Sequence, residues 1–276
     1  MAADVTRLAL LEARAQEHAA DAAEAAGEGG HGAGAFDPMH QFEIVRLVDI
    51  ELFGIDASFT NASLFMLIAV SVVSAFTIFS VGGRAMVPGR LQSMAELSYE
   101  FVAKMVRDNV GDAGQKYFPF IFTLFMFVLA SNLLGMIPYS FTVTSHIIVT
   151  FALAAVIFLG VTVIGFIRHG VGFLKLFVPS GIPLALVPLL VVIELISYFT
   201  RPISLSVRLF ANMMAGHTML KVFAGFVVAM GVIGGWAPLA FIVAFTGLEV
   251  LIAFLQAYVF AILTCIYLND ALHMHH

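Results

Sequence analysis

Residues 117–167 read YFPFIFTLFMFVLASNLLGMIPYSFTVTSHIIVTFALAAVIFLGVTVIGFI and contain no Asp, Glu, Lys or Arg. A helix needs about 20 predominantly apolar residues to cross a bilayer, so this stretch is long enough for two crossings. Asn132, Pro138 and the polar residues 140–145 interrupt it in the middle. We therefore predict two membrane-spanning helices, near residues 118–136 and 146–167.

Working outward, three further segments meet the same criterion of length, at 62–81, 184–230 and 239–268. Residues 90–110 instead place apolar side chains at steps of three and four between charged ones, which predicts an amphipathic helix on the membrane surface. The chain of 276 residues is 61% hydrophobic and 11% charged, whereas soluble domains average about 25% charged residues. The sequence therefore predicts an all-α integral membrane protein with five membrane-embedded helices and one surface helix.

Composition also limits the domain organisation and the function. Residues 41–276 are expected to form a single membrane domain, preceded by an N-terminal tail over residues 1–40 that is flexible or helical. The first 60 residues hold eleven acidic and three basic side chains, so no basic face supports nucleic-acid binding. The single Cys265 excludes an intrachain disulfide and a cysteine-based metal cluster. No metal or other cofactor is expected, and no phosphate-binding loop is present.

The basic residues predict the orientation. Residues 82–116 carry five Lys or Arg and residues 168–182 carry two, whereas residues 137–145 carry none. The positive-inside rule places the first two connections in the cytoplasm and the third outside. Five passes then put the N-terminus outside and the C-terminus in the cytoplasm.

Arg208 is the first functional candidate, because it lies deep within the apolar segment 184–230. An arginine keeps its charge, and placing it near the bilayer centre costs at least about 2.5 kcal/mol. Further polar side chains fall within about 40° of it on a helical wheel, namely Glu194, Ser197, Arg201, Ser204 and Asn212. These side chains predict a polar track along the helix. Glu194 and Arg208 lie about 21 Å apart along it.

The last helix predicts a second polar line, formed by Glu249, Gln256 and Tyr267. His217 lies opposite Arg208 on its own helix, so we expect it to turn towards the last helix and to pair with Glu249. A histidine–carboxylate pair suits proton relay, because imidazole titrates near neutral pH.

Three motifs resemble subunit a of the F-type ATP synthases, in its alphaproteobacterial and mitochondrial branch. They are residues 202–217, PISLSVRLFANMMAGH, residues 255–268, LQAYVFAILTCIYL, and, more weakly, residues 132–138, NLLGMIP. The resemblance implies a proton-translocating stator subunit that is not itself an enzyme. It places this subunit in a bacterial inner membrane, with the N-terminus in the periplasm. It also implies that the last two helices are long and strongly tilted. The implied partners are the c-ring, the b-type subunits of the peripheral stalk, membrane lipid and protons.

The same resemblance implies roles for individual residues. Arg208 would face the c-ring, separate two aqueous half-channels and promote deprotonation of the ring carboxylate. Glu194 would lie in the cytoplasmic half-channel, with Gln256 near Arg208. His217, Glu249 and Asn212 would belong to the outer half-channel. Secondary candidates for the channel lining are Ser197, Ser204, Asn132, His146 and Tyr267.

The resemblance has departures on the outer side. Many bacterial relatives have an acid where Gly135 stands here. They also have an acid and a histidine at the positions of His217 and Glu249, so the pair is exchanged in this chain, as in mitochondrial relatives. Because this chain has no acid at residue 135, the candidates for lining the channel there are Asn132, Ser140 and His146.

Two other functions stay open at this point. A stand-alone ion-coupled transporter would use Arg208 to bind an anionic substrate, and a membrane scaffold would use its charges only to hold helices together. Inverted repeats would favour the transporter, but the polar helix has no counterpart in the first half of the sequence.

Overall fold

The computed structural model of the chain describes residues 46–48, 51–52, 55–56, 58–82, 89–137, 140–177 and 186–273. All of these residues belong to one compact unit, Met39–His276. The tail predicted over residues 1–40 lies outside the described residues, and so does most of the connection that follows residue 177.

Six α-helices hold most of the described residues: α1 (Asn61–Val81), α2 (Arg90–Val110), α3 (Phe118–Gly135), α4 (Ile147–His169), α5 (Val187–Gly234) and α6 (Trp236–Leu272). All of them except α2 are long and apolar enough to cross a membrane. The predicted all-α membrane fold, with five membrane helices and one amphipathic helix, is confirmed.

Local chemistry explains where these helices begin and end. Thr60 caps α1, because its hydroxyl accepts a hydrogen bond from the Ser63 amide at 3.4 Å. Gly231 has a φ of 63° and a ψ of −163°, which side chains other than glycine rarely adopt, so regular α5 stops just before it. α6 begins earlier than the predicted residue 239, because Pro238 stands in its first turn, where a missing N–H group costs little.

Several short elements are not predicted by the sequence. Strand β1 (Arg46–Val48) pairs antiparallel with β4 (Phe59–Thr60), and β2 (Glu51–Leu52) pairs with β3 (Ile55–Asp56). Short 3₁₀ segments occupy Asp112–Tyr117, Val143–Ser145 and Gly170–Phe177. Strands of two or three residues cannot show the alternation of apolar and polar side chains from which strands are predicted.

α6 is the centre of the packing, because it contacts α2, α3, α4 and α5. Ala253, Ala257 and Ala261 on its buried face have no exposed surface. Small side chains let helix backbones approach closely, which is how helices associate in lipid. α5 and α6 are joined at Gly235 and run antiparallel, so that the beginning of α5 faces the end of α6.

α2 is amphipathic, but only its second half is buried. This half packs against α3 and α6 through Val102, Met105, Val106 and Val110. Leu91, Met94 and Leu97, which the sequence places on the same apolar face, are exposed. The apolar face therefore has one part in the protein core and one part open on the protein surface.

Residues 140–145 fold back into the protein and cover the end of α3. The side chains of Ser140, Thr142, Thr144 and Ser145 are all buried. Backbone carbonyls satisfy several of these hydroxyls: that of Ser140 donates to Leu134 at 2.6 Å and that of Ser145 to Thr142 at 2.6 Å. The polar patch of the sequence is therefore an internal part of the fold.

Candidate functional site

His217 on α5 and Glu249 on α6 form a buried pair. The side chains are 6% and 5% exposed, and Nδ1 of the histidine is in hydrogen-bond contact with Oε1 of the glutamate. On the other side of the ring, Nε2 lies 2.9 Å from the carbonyl oxygen of Gly135 at the end of α3. The predicted contact between His217 and Glu249 is therefore present, and a third helix completes it.

The Gly135 carbonyl determines which ring nitrogen of His217 carries a hydrogen. A carbonyl oxygen only accepts hydrogen bonds, so Nε2 of His217 must carry a hydrogen. A proton shared between Nδ1 and the carboxylate gives either imidazolium with carboxylate or two neutral groups. The pair has a net charge of zero in both arrangements. It can therefore pass this proton from one partner to the other without a change in its charge.

Gly216 makes room for the pair, and Gly135 makes room for Thr142 beside it. A Cβ atom at Gly216 would lie 2.7 Å from Oε1 of Glu249, and one at Gly135 would lie 2.7 Å from Cγ2 of Thr142. The Thr142 hydroxyl also donates a hydrogen bond of 3.2 Å to the Gly135 carbonyl, as does that of Ser140 at 3.2 Å. The sequence reasoning missed Thr142 and Gly216, since nothing in the linear sequence shows which atoms surround the carboxylate.

Buried polar atoms without a hydrogen-bond partner occur on the segments that contribute to this pair and on the turn next to them. Among the described residues they include Ser131 Oγ, Asn132 Oδ1, Thr144 Oγ1 and Glu249 Oε2. The amide nitrogen of Asn132 donates to the carbonyl of Ala253, one turn from Glu249 on α6, at 3.2 Å. Buried polar groups in native proteins are almost always satisfied, often by ordered water. These atoms therefore mark a region that suits water molecules.

Asn212 and Gln256 form a second contact between α5 and α6. The Asn212 amide nitrogen lies 3.3 Å from Oε1 of Gln256. Gln256 is buried and Asn212 is exposed. Asn212 stands one helical turn after Arg208, so the contact lies close to the arginine along α5.

Arg208 projects from the exposed face of α5. Within the described part of the chain its guanidinium makes no hydrogen bond and no ion pair. α6 has no acidic residue between Glu249 and Asp270, so the neighbouring helix offers no carboxylate at this level. The hydroxyls of Ser197 and Ser204 are also exposed and lack a hydrogen-bond partner among the residues placed by the structure. This face of α5 is left open to a partner.

Glu194 stands near the beginning of α5 and is partly exposed. Its carboxylate makes no hydrogen bond or ion pair with the residues that the structure describes. It is separated from Arg208 by four helical turns. The structure therefore keeps the two charges of the predicted track apart.

Arg201 does not belong to the open polar face on which the sequence placed it. Its Nη1 lies 3.0 Å from Oδ2 of Asp270 near the end of α6. Its guanidinium carbon lies 5.8 Å from the ring centre of Tyr198 and 5.1 Å from that of Tyr267. A helical wheel gives the direction of a side chain but not the neighbouring helix, so it cannot distinguish this contact from an open face. In the sequence, Asp270 could have been recognised as a candidate partner because it is a single acid near the end of an apolar helix.

His146 stands apart from the His217 pair. Its ring stacks on Phe141, with ring centres 4.8 Å apart and planes at 17°. Burial lowers the pKa of His146, which favours the neutral imidazole. No group of three or more His, Cys, Asp or Glu side chains within the described ranges is placed to hold a metal ion.

Five membrane helices, a buried ionisable pair and an outward-facing arginine define an integral membrane protein with ionisable side chains inside its membrane-spanning helices. The sequence profile of the ATP synthase A chain matches residues 63–269. The chain belongs to this family, whose members are membrane subunits of the synthase and not enzymes by themselves.

Curated relatives agree with the family and cover nearly all of this chain. ATP synthase subunit a of Pelagibacter ubique (strain HTCC1062) is 64% identical over 245 residues, 88% of this chain and 100% of the relative. The subunit a of Chelativorans sp. (strain BNC1) is 61% identical over 248 residues, again 88% and 100%. That of Parvibaculum lavamentivorans is 61% identical over 247 residues, 87% and 95%.

Proposed function

We propose that this chain is the stator subunit that conducts protons between two half-channels to and from a ring of carboxylate-bearing helices. Arg208 separates the half-channels and promotes ionisation of each ring carboxylate that comes to it. The chain performs no covalent chemistry, and nucleotide binds elsewhere in the complex. The observation that carries the proposal is an exposed Arg208 with no partner in the described structure, on a helix apolar enough to span the membrane.

A carboxylate supplied by another subunit fits this arrangement. In lipid such a group must be neutral, whereas beside a guanidinium the ionised form is favoured. A proton is therefore released as the ring carboxylate approaches Arg208 and is taken up again as it leaves. Net proton flow then requires the ring to turn, because the fixed charge of Arg208 opposes direct passage of a proton from one half-channel to the other.

We assign the outer half-channel to the His217–Glu249 pair. Asn132, Ser131 and Thr144 add unsatisfied polar atoms that suit a file of water molecules. Ser140 contributes through the Gly135 carbonyl, and His146 contributes a buried, unpartnered Nε2 near the outer end of α4. Asn212 and Gln256 connect this region to Arg208.

We assign the inner half-channel to Glu194 and Ser197, which lie on the inner side of Arg208 along α5. Tyr267 borders it, with its ring centre 5.1 Å from the guanidinium carbon of Arg201. The distribution of basic residues supports an N-terminus in the periplasm and a C-terminus in the cytoplasm. The partners would be the c-ring, the b-type subunits of the peripheral stalk and membrane lipid.

Cysteine cross-linking tests the open face of α5. In a Cys265→Ala background, Ser204→Cys is expected to form a disulfide with a cysteine placed beside the ring carboxylate of the assembled complex. Ser206→Cys is the matched control, because Ser206 lies two residues away and is 1% exposed. A disulfide requires Cα atoms within about 7 Å of each other. Cross-linking at residue 206 but not at residue 204 would place the ring on another face and contradict the proposal.

The space at Gly216 gives a second prediction. Gly216→Ala puts a methyl group 2.7 Å from Oε1 of Glu249, so we expect a loss of stability of about 1–3 kcal/mol, the usual cost of overpacking. ATP-driven proton pumping is expected to fall together with the thermal stability of the complex. Gly247→Ala is the control, since a Cβ atom there meets nothing within 4 Å. Equal behaviour of the two variants would show that the pair does not need this space.

A further inference from the structure

We infer that Arg201 and Asp270 are a positioning pair, which holds α5 against α6 in the register that presents Arg208 to the ring. The inference rests on the function proposed above. Arg201 Nη1 lies 3.0 Å from Asp270 Oδ2, and both side chains are about a third exposed, at 30% and 36%. The two residues come from the beginning of α5 and the end of α6, where no turn connects these helices.

Arg208 lies between two side-chain contacts of α5 with α6. Arg201 stands seven residues before it, a distance of about 10 Å along the helix. Asn212, which contacts Gln256, stands one turn after it. A slip of one residue would rotate Arg208 by about 100° around the helix axis. Contacts on both sides of the arginine therefore determine whether it points to the open face.

The geometry around Arg201 also fixes its orientation. The guanidinium carbon lies 5.1 Å from the ring centre of Tyr267 on α6 and 5.8 Å from that of Tyr198 on α5. The Tyr198 hydroxyl is hydrogen-bonded to Thr162 on α4 at 2.6 Å. A flat guanidinium can stack on a ring and bind a carboxylate at once, which an ammonium group cannot do equally well. Three helices are thereby joined at one end of the bundle.

The test uses the whole ATP synthase complex in inverted membrane vesicles. Protons pumped per ATP hydrolysed and passive proton flux after removal of the catalytic sector are both divided by the amount of assembled subunit. Asp270→Asn and Arg201→Gln are expected to lower pumping per ATP about two- to fivefold, in line with the strength of a partly exposed ion pair. Passive flux is expected to rise. The reversed pair, Arg201→Asp with Asp270→Arg, should recover part of the loss.

Two further variants keep the test decisive. Arg201→Lys keeps the ion pair, so it should assemble even if the neutral variants do not, and it should show a smaller rise in passive flux. Arg168→Gln removes an exposed arginine at the end of α4 and should match wild type. A pair that is only structural would lower the amount of assembled complex and leave both normalised values unchanged, which overturns the inference. If Arg208→Ala also left pumping intact, the proposed function would fail with it.

Discussion

Replacing Arg208 by alanine is expected to abolish ATP-driven proton pumping while the subunit still folds and assembles. The variant removes a charge whose placement near the bilayer centre costs at least about 2.5 kcal/mol, so the helix itself should not be destabilised. No hydrogen bond or ion pair within the described part of the chain is lost with it. The effect should therefore lie in function and not in the amount of protein.

The size of the effect follows from the chemistry of the partner carboxylate. A neighbouring cation shifts the protonation equilibrium of a carboxyl group by about one to three orders of magnitude. Without Arg208, most ring carboxylates would pass the stator without releasing their proton, and protons could cross between the half-channels without rotation. We expect pumping below detection and a raised passive flux in stripped vesicles. Arg208→Lys should keep more function than alanine, because it keeps the charge.

Arg168→Ala is the control for the Arg208 experiment. Arg168 is exposed at the end of α4 and makes no ion pair with any residue that the structure describes. It should pump as wild type does. Intact pumping in Arg208→Ala would rule out the central role of this arginine and reopen the transporter and scaffold alternatives.

The second large effect is expected from breaking the His217–Glu249 pair. Both side chains are about nineteen-twentieths buried, so removing one partner leaves the other buried without its contact. Such a change costs about 3–5 kcal/mol. We therefore expect His217→Ala and Glu249→Ala to lower the thermal stability of the complex and to reduce pumping by roughly tenfold or more, since a positioned proton-transfer group is lost.

Exchanging the two residues tests whether function depends on the contact itself or on which residue stands at each position. The double variant His217→Glu with Glu249→His restores one histidine and one carboxylate in contact, so it should recover most of the pumping that each single variant loses. Recovery should be incomplete, because a carboxylate at residue 217 cannot donate to the Gly135 carbonyl. Additive losses in the double-mutant cycle would show that the two side chains act independently. His169→Ala is the histidine control. His169 is the last residue of α4 and does not belong to the pair, so this variant should pump as wild type does.

The membrane helices could be predicted because their composition is set locally by the surrounding lipid. Each spanning segment needs its own run of apolar residues, and the break at Gly231 and the cap at Thr60 depend only on nearby residues. The His217–Glu249 contact could also be predicted, since an acid and a histidine in apolar helices must find partners. These features depend on a single segment, or on a pair of ionisable residues with few possible partners in the membrane.

The rest of the site depends on three-dimensional neighbours that a sequence does not specify. Arg201 shares a face with Arg208 on a helical wheel, yet α6 brings Asp270 to it and leaves Arg208 open. The Gly135 carbonyl is a backbone atom, so no residue type identifies it as the histidine acceptor. In the sequence, residues 140–145 look like an exposed polar connection. In the structure they are buried, and backbone carbonyls accept hydrogen bonds from the hydroxyls of Ser140 and Ser145.

The contact between Gly135 and Thr142 places a restriction on the order in which this subunit can evolve. Any side chain at residue 135 begins with a Cβ atom 2.7 Å from Thr142 Cγ2. An acid cannot enter this position first without a clash, whereas alanine at residue 142 can appear beforehand at the cost of the hydrogen bond to the Gly135 carbonyl. The two positions are therefore expected to show sign epistasis. A lineage that gains an acid at residue 135 is therefore expected to change residue 142 first.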